Sequence, residues 1–162
     1  TDKRILYTPG FDAIFIPSRA SEIGLLAAQL AFHDVKVPML GTNGWNSPDF
    51  LRTADRTVDG AVFVDGFFAD STNINVQDFV QRYQKRFQGT PTLFTMQGYD
   101  AAKLVLEAIR HGATTGETVR EFLTTQRDLP SLMGPASFGA EGTFQRPLAL
   151  LQVRHGKFIQ LD

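Results

Sequence analysis

The sequence predicts an α/β fold built around parallel sheet, and three observations lead there. Asp12-Ala13-Ile14-Phe15-Ile16 and Gly60-Ala61-Val62-Phe63-Val64-Asp65 carry short apolar runs closed by turn residues, the pattern of strands buried on both faces in parallel sheets. Between them Ile23, Leu26, Ala27 and Leu30 recur at helical spacing within Ser21 to His33. After Asp65 the alternation breaks, and three helical patterns follow one another with no strand between them.

Taken in order, the first strand ends at Pro17-Ser18, and the helix from Ser21 to His33 consists largely of strong helix formers such as Leu25, Ala28 and Gln29. Val37-Pro38-Met39-Leu40-Gly41 is the next strand, which makes a strand–helix–strand unit with a right-handed crossover. Thr42-Asn43-Gly44-Trp45-Asn46 is a polar turn holding one large aromatic. Ser47-Pro48-Asp49 then starts a short helix, with Ser at the N-cap, Pro at the first helical position and an acid in the first turn, ending near Ala54. A polar loop from Phe67 to Ile74 leads into a helix whose face is Val76, Phe79, Val80, Tyr83 and Phe87, with Gly89 and Pro91 as its stop. The next helix runs from Leu93 to His111 and buries Val105, Leu106 and Ile109, with Gly112 after it. Thr114-x-x-Glu117 has the form of a capping box for a third helix that turns Val119, Phe122 and Leu123 inward. The tail reads as Ala136-Ser137-Phe138, a turn at Gly139-Ala140-Glu141-Gly142, and a hairpin of Leu148 to Val153 with Lys157 to Leu161 about His155-Gly156.

Composition narrows the function. The chain has 162 residues, Lys+Arg 16 against Asp+Glu 17, a formal net charge of -1, 43% hydrophobic residues and no Cys. By length alone it is one domain. The neutral balance, with no basic block, argues against nucleic acid or an anionic membrane as partner. Without Cys there is no disulfide scaffold, thiolate metal site or Cys nucleophile. No apolar stretch reaches the ~20 residues that span a bilayer. Thr1-Asp2-Lys3-Arg4 leads into no signal segment and there is no initial Met, so an upstream piece is expected to have been removed.

No catalytic constellation stands out. His33, His111 and His155 do not share a two-His helical spacing, so no metal site is expected, and nucleophile-elbow and phosphate-loop motifs are absent. Binding is better supported, because ligands of open α/β sheets sit beyond the carboxyl ends of the strands. Three expected strands end in Pro17-Ser18-Arg19, Thr42-Asn43-Gly44-Trp45-Asn46 and Asp65-Gly66-Phe67, which cluster if the strands are parallel neighbours. Ser18 and Arg19 then lie at a helix N-terminus suited to a carboxylate, and Trp45 either walls the ligand or covers the core edge. Ser47 reads as a cap. Phe67-Phe68 reads as packing. Asp100 reads most simply as a surface residue, since a core position requires a partner.

Phe11-Asp12-Ala13-Ile14-Phe15-Ile16-Pro17, Leu40-Gly41-Thr42-Asn43-Gly44-Trp45-Asn46-Ser47-Pro48, Val58-Asp59-Gly60-Ala61-Val62-Phe63-Val64, Gly98-Tyr99-Asp100-Ala101-Ala102, Met133-Gly134-Pro135 and Leu150-Leu151-Gln152-Val153-Arg154-His155-Gly156-Lys157-Phe158 together resemble the carboxyl-terminal half of a type I periplasmic solute-binding protein, of the leucine/isoleucine/valine-binding receptor family. The resemblance implies parallel-sheet, Rossmann-like lobes of the type I fold, represented only in part. It assigns 1–64 to the carboxyl-terminal lobe, 67–132 to a return into the amino-terminal lobe and 135–162 to a carboxyl-terminal-lobe tail. Crossovers fall near 65–66 and 133–134, with Gly66 and Gly134 as hinge glycines.

The family also implies a function without catalysis or cofactor. An extracytoplasmic receptor, periplasmic or cell-surface, captures a small amino-acid-like or carboxylate ligand between its lobes and delivers it to an ABC permease. The expected contacts map onto Ser18, Arg19, Asn43, Gly44 and Trp45. Leucine-type receptors carry an acid at the position of Asn43 to meet the ligand's ammonium, and an aromatic where Arg19 stands. Either Asp65 supplies the charge, or the ligand is anionic, or the cleft holds no ligand. The alternative is the interaction module of a lipoprotein that activates cell-wall synthases and shares this fold. Because the chain resembles parts of two lobes, it is also expected to expose apolar surface and to self-associate or pair with another chain.

Overall fold

The structure, a computed structural model, describes residues 10–139 and 141–161. The expected features at residues 1–9, and the part of the tail turn that involves Ala140, lie outside the described residues, as does Asp162. The chain divides into two compact units. One runs to Asp65 and resumes at Leu150; the other is Gly66–Ala149.

The first unit is a five-stranded sheet in the order β1-β2-β3-β6-β7. Its strands are β1 (Ile14–Phe15), β2 (Met39–Gly41), β3 (Val62–Asp65), β6 (Ala149–Arg154) and β7 (Lys157–Leu161). β1, β2 and β3 are parallel neighbours, with Phe15 opposite Leu40 and Leu40 opposite Val62. β6 and β7 form an antiparallel hairpin. At its turn His155 and Gly156 both take left-handed φ, 51° and 71°, as a two-residue turn of this hand requires. Helix α1 (Ala20–Phe32) joins β1 to β2, and α2 (Pro48–Ala54) with a 3-10 turn at Asp55–Val58 joins β2 to β3.

Right-handed crossovers that proceed in one direction along a sheet put their helices on one face, and α1 packs against α2. The core therefore lies on that side. Phe63, Leu151 and Val153 from the strands meet Ile23, Ala27, Phe50 and Ala54 from the helices, all buried. Trp45 stacks on Phe50 at 5.3 Å, and Phe50 stacks on Phe158 at 6.1 Å. Gly24 lets the helices meet, since a Cβ there would lie 2.7 Å from Thr53 Oγ1.

The strands are not buried on both faces as expected. Phe15, Leu40, Val64 and Leu150 are 60%, 39%, 39% and 41% exposed. Both helices cover one face and leave the other open.

The second unit contains α3 (Ile74–Phe87), α4 (Leu93–Arg110), α5 (Gly116–Thr125) and the hairpin strands β4 (Ser137–Phe138) and β5 (Phe144–Gln145). Asn73 caps α3 by accepting the Asn75 N–H at 2.9 Å. Gln88, at φ 56°, provides the left-handed stop expected of Gly89. The α5 box is formed by Thr115 and Thr118, one residue after the expected Thr114 and Glu117. The segment 135–149, expected with the carboxyl-terminal tail, groups with this unit because β4 packs on α5.

Helix α4 turns a different face inward from the expected one. Met96, Asp100, Leu104 and Ala108 are buried, whereas Val105, Leu106 and Ile109 are 43%, 54% and 53% exposed. Apolar residues surround much of this helix, so hydrophobicity alone does not select its inner row.

Candidate functional site

The carboxyl ends of β1, β2 and β3 lie side by side in the first unit, as their parallel pairing requires. After β1 the Ile16 N–H donates to Leu40 O at 2.8 Å, and the Ser18 N–H donates back to Ile16 O at 2.9 Å, which turns the chain into α1. Arg19 is the N-cap of α1, with an extended backbone. Its N–H donates to Glu22 Oε2 at 3.4 Å. A guanidinium accepts no hydrogen bond, so Arg19 caps the helix by its backbone and its side chain is left over. That guanidinium is exposed and has no ion-pair or hydrogen-bond partner among the described residues. Ser18 Oγ is buried and also lacks a partner.

After β2, Asn43–Trp45 forms a 3-10 turn. Gly44 presses on the preceding turn so closely that a Cβ would lie 2.6 Å from Ser18 O. Its lack of a side chain brings the two segments together. Asn43 is exposed beside it. At the end of the turn Asn46 Nδ2 donates to Asp65 Oδ2 at 2.7 Å, which ties it to the end of β3. Asp65 is 4% exposed.

Ser18, Arg19, Asn43, Gly44 and Asp65 thus occupy one end of the sheet. Trp45 belongs to the same turn but faces the core: it is 0% exposed, between Phe50 and Phe63. A Cβ on Gly41 would overlap its indole. Of the two readings of Trp45, its geometry is that of core cover. Ser47 is a cap, its Oγ accepting the Asp49 N–H at 3.2 Å. Asn46 was not singled out as a site residue, although its place in the polar turn next to a strand end was visible.

The two expected hinge glycines lie in the second unit and have different reasons to be glycine. Gly134 takes φ +130°, a region side chains avoid. Gly66 has no such backbone; a Cβ there would lie 2.6 Å from Arg146 Nη2. Phe67 and Phe68 are buried, in line with packing. Asp100 is 3% exposed, and the partner such a position demands is the Leu132 N–H, 3.0 Å from Oδ1. Among the described residues no group of three His, Asp or Glu side chains could hold a metal ion, and no helix is long and apolar enough to cross a membrane.

The polar cluster lies beyond the carboxyl ends of parallel strands, where ligands bind in open α/β sheets. Residues 9–157 match the family model described as periplasmic binding protein, and the chain belongs to that family. Its members are binding proteins, and the fold is the type I α/β fold represented in part.

Three solved structures share the fold. A protein from Rhodospirillum rubrum assigned to branched-chain amino acid ABC transport is 24% identical over 93% of this chain and 44% of its own, with TM-score 0.86. The leucine-binding protein of Thermotoga maritima is 23% identical over 93% and 44%, with TM-score 0.73. The branched-chain amino acid transporter substrate-binding protein of Streptococcus pneumoniae, solved with isoleucine, is 22% identical over 94% and 46%, with TM-score 0.70. The chain spans less than half the length of each of these. No curated protein matches the sequence.

Proposed function

We propose that this chain forms part of an extracytoplasmic receptor that captures a small carboxylate, amino-acid-like in size, and hands it to an ABC permease. Capture is the whole of its activity, with no bond made or broken. The ligand sits at the carboxyl ends of β1, β2 and β3, and in the whole receptor a second lobe closes over it. One observation carries this reading: the Arg19 guanidinium stands exposed and unpaired at the N-terminus of α1, next to Asn43 and the orphaned Ser18 Oγ.

A carboxylate there accepts from Arg19, from Ser18 Oγ once that side chain turns outward, and from the first N–H groups of α1, whose dipole also favours an anion. Asn43 offers an amide and no charge. Asp65 is buried and held by Asn46, so a free ammonium finds little compensation at this end of the sheet. That difference favours a plain carboxylate over a zwitterion.

The test is a thermal-shift panel of aliphatic and aromatic carboxylates, their amides, and amino acids. A ligand at 100 times its dissociation constant stabilises the native state by about 2.7 kcal/mol. At least one carboxylate is expected to raise the midpoint while its amide does not, and Arg19→Ala is expected to remove the shift. A panel with no shift for any carboxylate rejects the reading.

A further inference from the structure

The proposed carboxylate site already holds a carboxylate of its own. Helix α1 has a single charged residue, Glu22, at the third helical position, just beyond the Arg19 cap. Its side chain folds back over the helix end, where Oε2 accepts the Arg19 N–H at 3.4 Å. Glu22 is exposed and makes no ion pair among the described residues. The N–H groups of Ala20 and Ser21, which lie between the two, have no acceptor among the described residues.

Those two N–H groups are the helix donors open to a ligand, so a carboxylate bound there sits beside that of Glu22, on neighbouring donors of one turn. The contact between Glu22 and the cap is local to the first turn of α1 and depends on no other part of the chain. Among the described residues of the cluster, the formal charges are then positive at Arg19 and negative at Glu22 and Asp65. One ligand carboxylate is met by Arg19. A second finds no cation left and Glu22 in place, and like charges brought together lose affinity.

We propose that Glu22 determines the charge selectivity of this site: it admits ligands that carry one carboxylate and turns away those that carry two. The assignment rests on the reading of Arg19 as the carboxylate anchor. Glutamine closes a capping box as glutamate does, so the fold of α1 needs the length of this side chain and not its charge. The charge acts on what binds beside it.

The experiment is isothermal titration of the full chain with matched pairs of one skeleton: butyrate and succinate, hexanoate and adipate, 4-methylbenzoate and terephthalate. In the unaltered protein at low salt, the monocarboxylate of at least one pair is expected to bind more tightly than its dicarboxylate. In Glu22→Gln, checked for folding by circular dichroism, that preference is expected to narrow roughly fourfold, the effect of removing a like charge about 5 Å away through water. At about 1 M salt, where the screening length falls to about 3 Å, the two proteins are expected to show the same preference. A change in packing would persist at high salt. Glu117→Gln removes the first-turn acid of α5 instead and is expected to leave the preference as it was.

Two kinds of failure are told apart. If a monocarboxylate binds and Arg19→Ala removes it, but Glu22→Gln keeps the original preference or Glu117→Gln narrows it equally, the role of Glu22 is overturned and the carboxylate reading stands. If no monocarboxylate binds, or binding survives Arg19→Ala, the carboxylate reading falls and the role of Glu22 falls with it.

Discussion

Replacing Gly44 by Ala adds one methyl at the contact between the turn after β2 and the turn after β1. Its Cβ would lie 2.6 Å from Ser18 O, and ordinary contact begins at 3.4 Å, so the methyl sits about 0.8 Å too close to a backbone atom that no rotamer change can move. Overpacking of this kind costs about 1–3 kcal/mol, a large share of the 5–15 kcal/mol typical of a domain. Trp45 adjoins the substitution, is the only Trp of the chain and is 0% exposed, so its emission during denaturant unfolding reports on the first unit. The matched control is Gly98→Ala. Gly98 lies inside α4 with nothing within 4 Å of its Cβ position, so this change is expected to stabilise by about 0.5–1 kcal/mol. If Gly44→Ala leaves the midpoint of the Trp45 transition unchanged, the two turns are not in the contact described, and the cluster of Ser18, Arg19 and Asn43 loses its basis.

Three further outcomes follow from the packing. Phe50→Ala removes the ring between Trp45 and Phe158 and is expected to lower stability by about 3–5 kcal/mol in the same denaturation assay. Thr115→Ala deletes the hydroxyl that accepts the Thr118 N–H at 3.2 Å and is expected to cost about 1 kcal/mol, read by calorimetry. Asp100→Ala strands the buried Leu132 N–H, with an expected loss of about 1–3 kcal/mol; hydrogen exchange at Leu132 is expected to accelerate.

The parallel order of β1, β2 and β3 was legible because each apolar run is short and ends in turn residues, and because a helical period fills the gap between the first two. The convergence of Ser18, Arg19, Asn43 and Asp65 followed from that order alone. Three features were not legible. The open face carrying Phe15 and Leu40 depends on both crossovers lying on one side, and a continuous apolar run looks the same whether one face or both are covered. Trp45 could have faced ligand or core, and only the closeness of Gly41 to its indole decides the matter. The burial of Asp100 is hidden in the sequence because Val105, Leu106 and Ile109 form a second apolar face on α4 that the fold leaves exposed. The spacing of Met96, Leu104 and Ala108 in steps of four or eight runs through Asp100, and it was the signal available in the sequence.

The uptake reading depends most on what Arg19 does. Isothermal titration of the carboxylate that stabilises the protein best, into the unaltered chain and into Arg19→Ala, tests it directly. Loss of at least about tenfold in affinity, from removal of one charge-assisted hydrogen bond, is the predicted result, with the amide of the same compound binding neither protein. Equal affinity in the two proteins contradicts the account, because the ligand would then bind without the Arg19 guanidinium at the ends of the parallel strands.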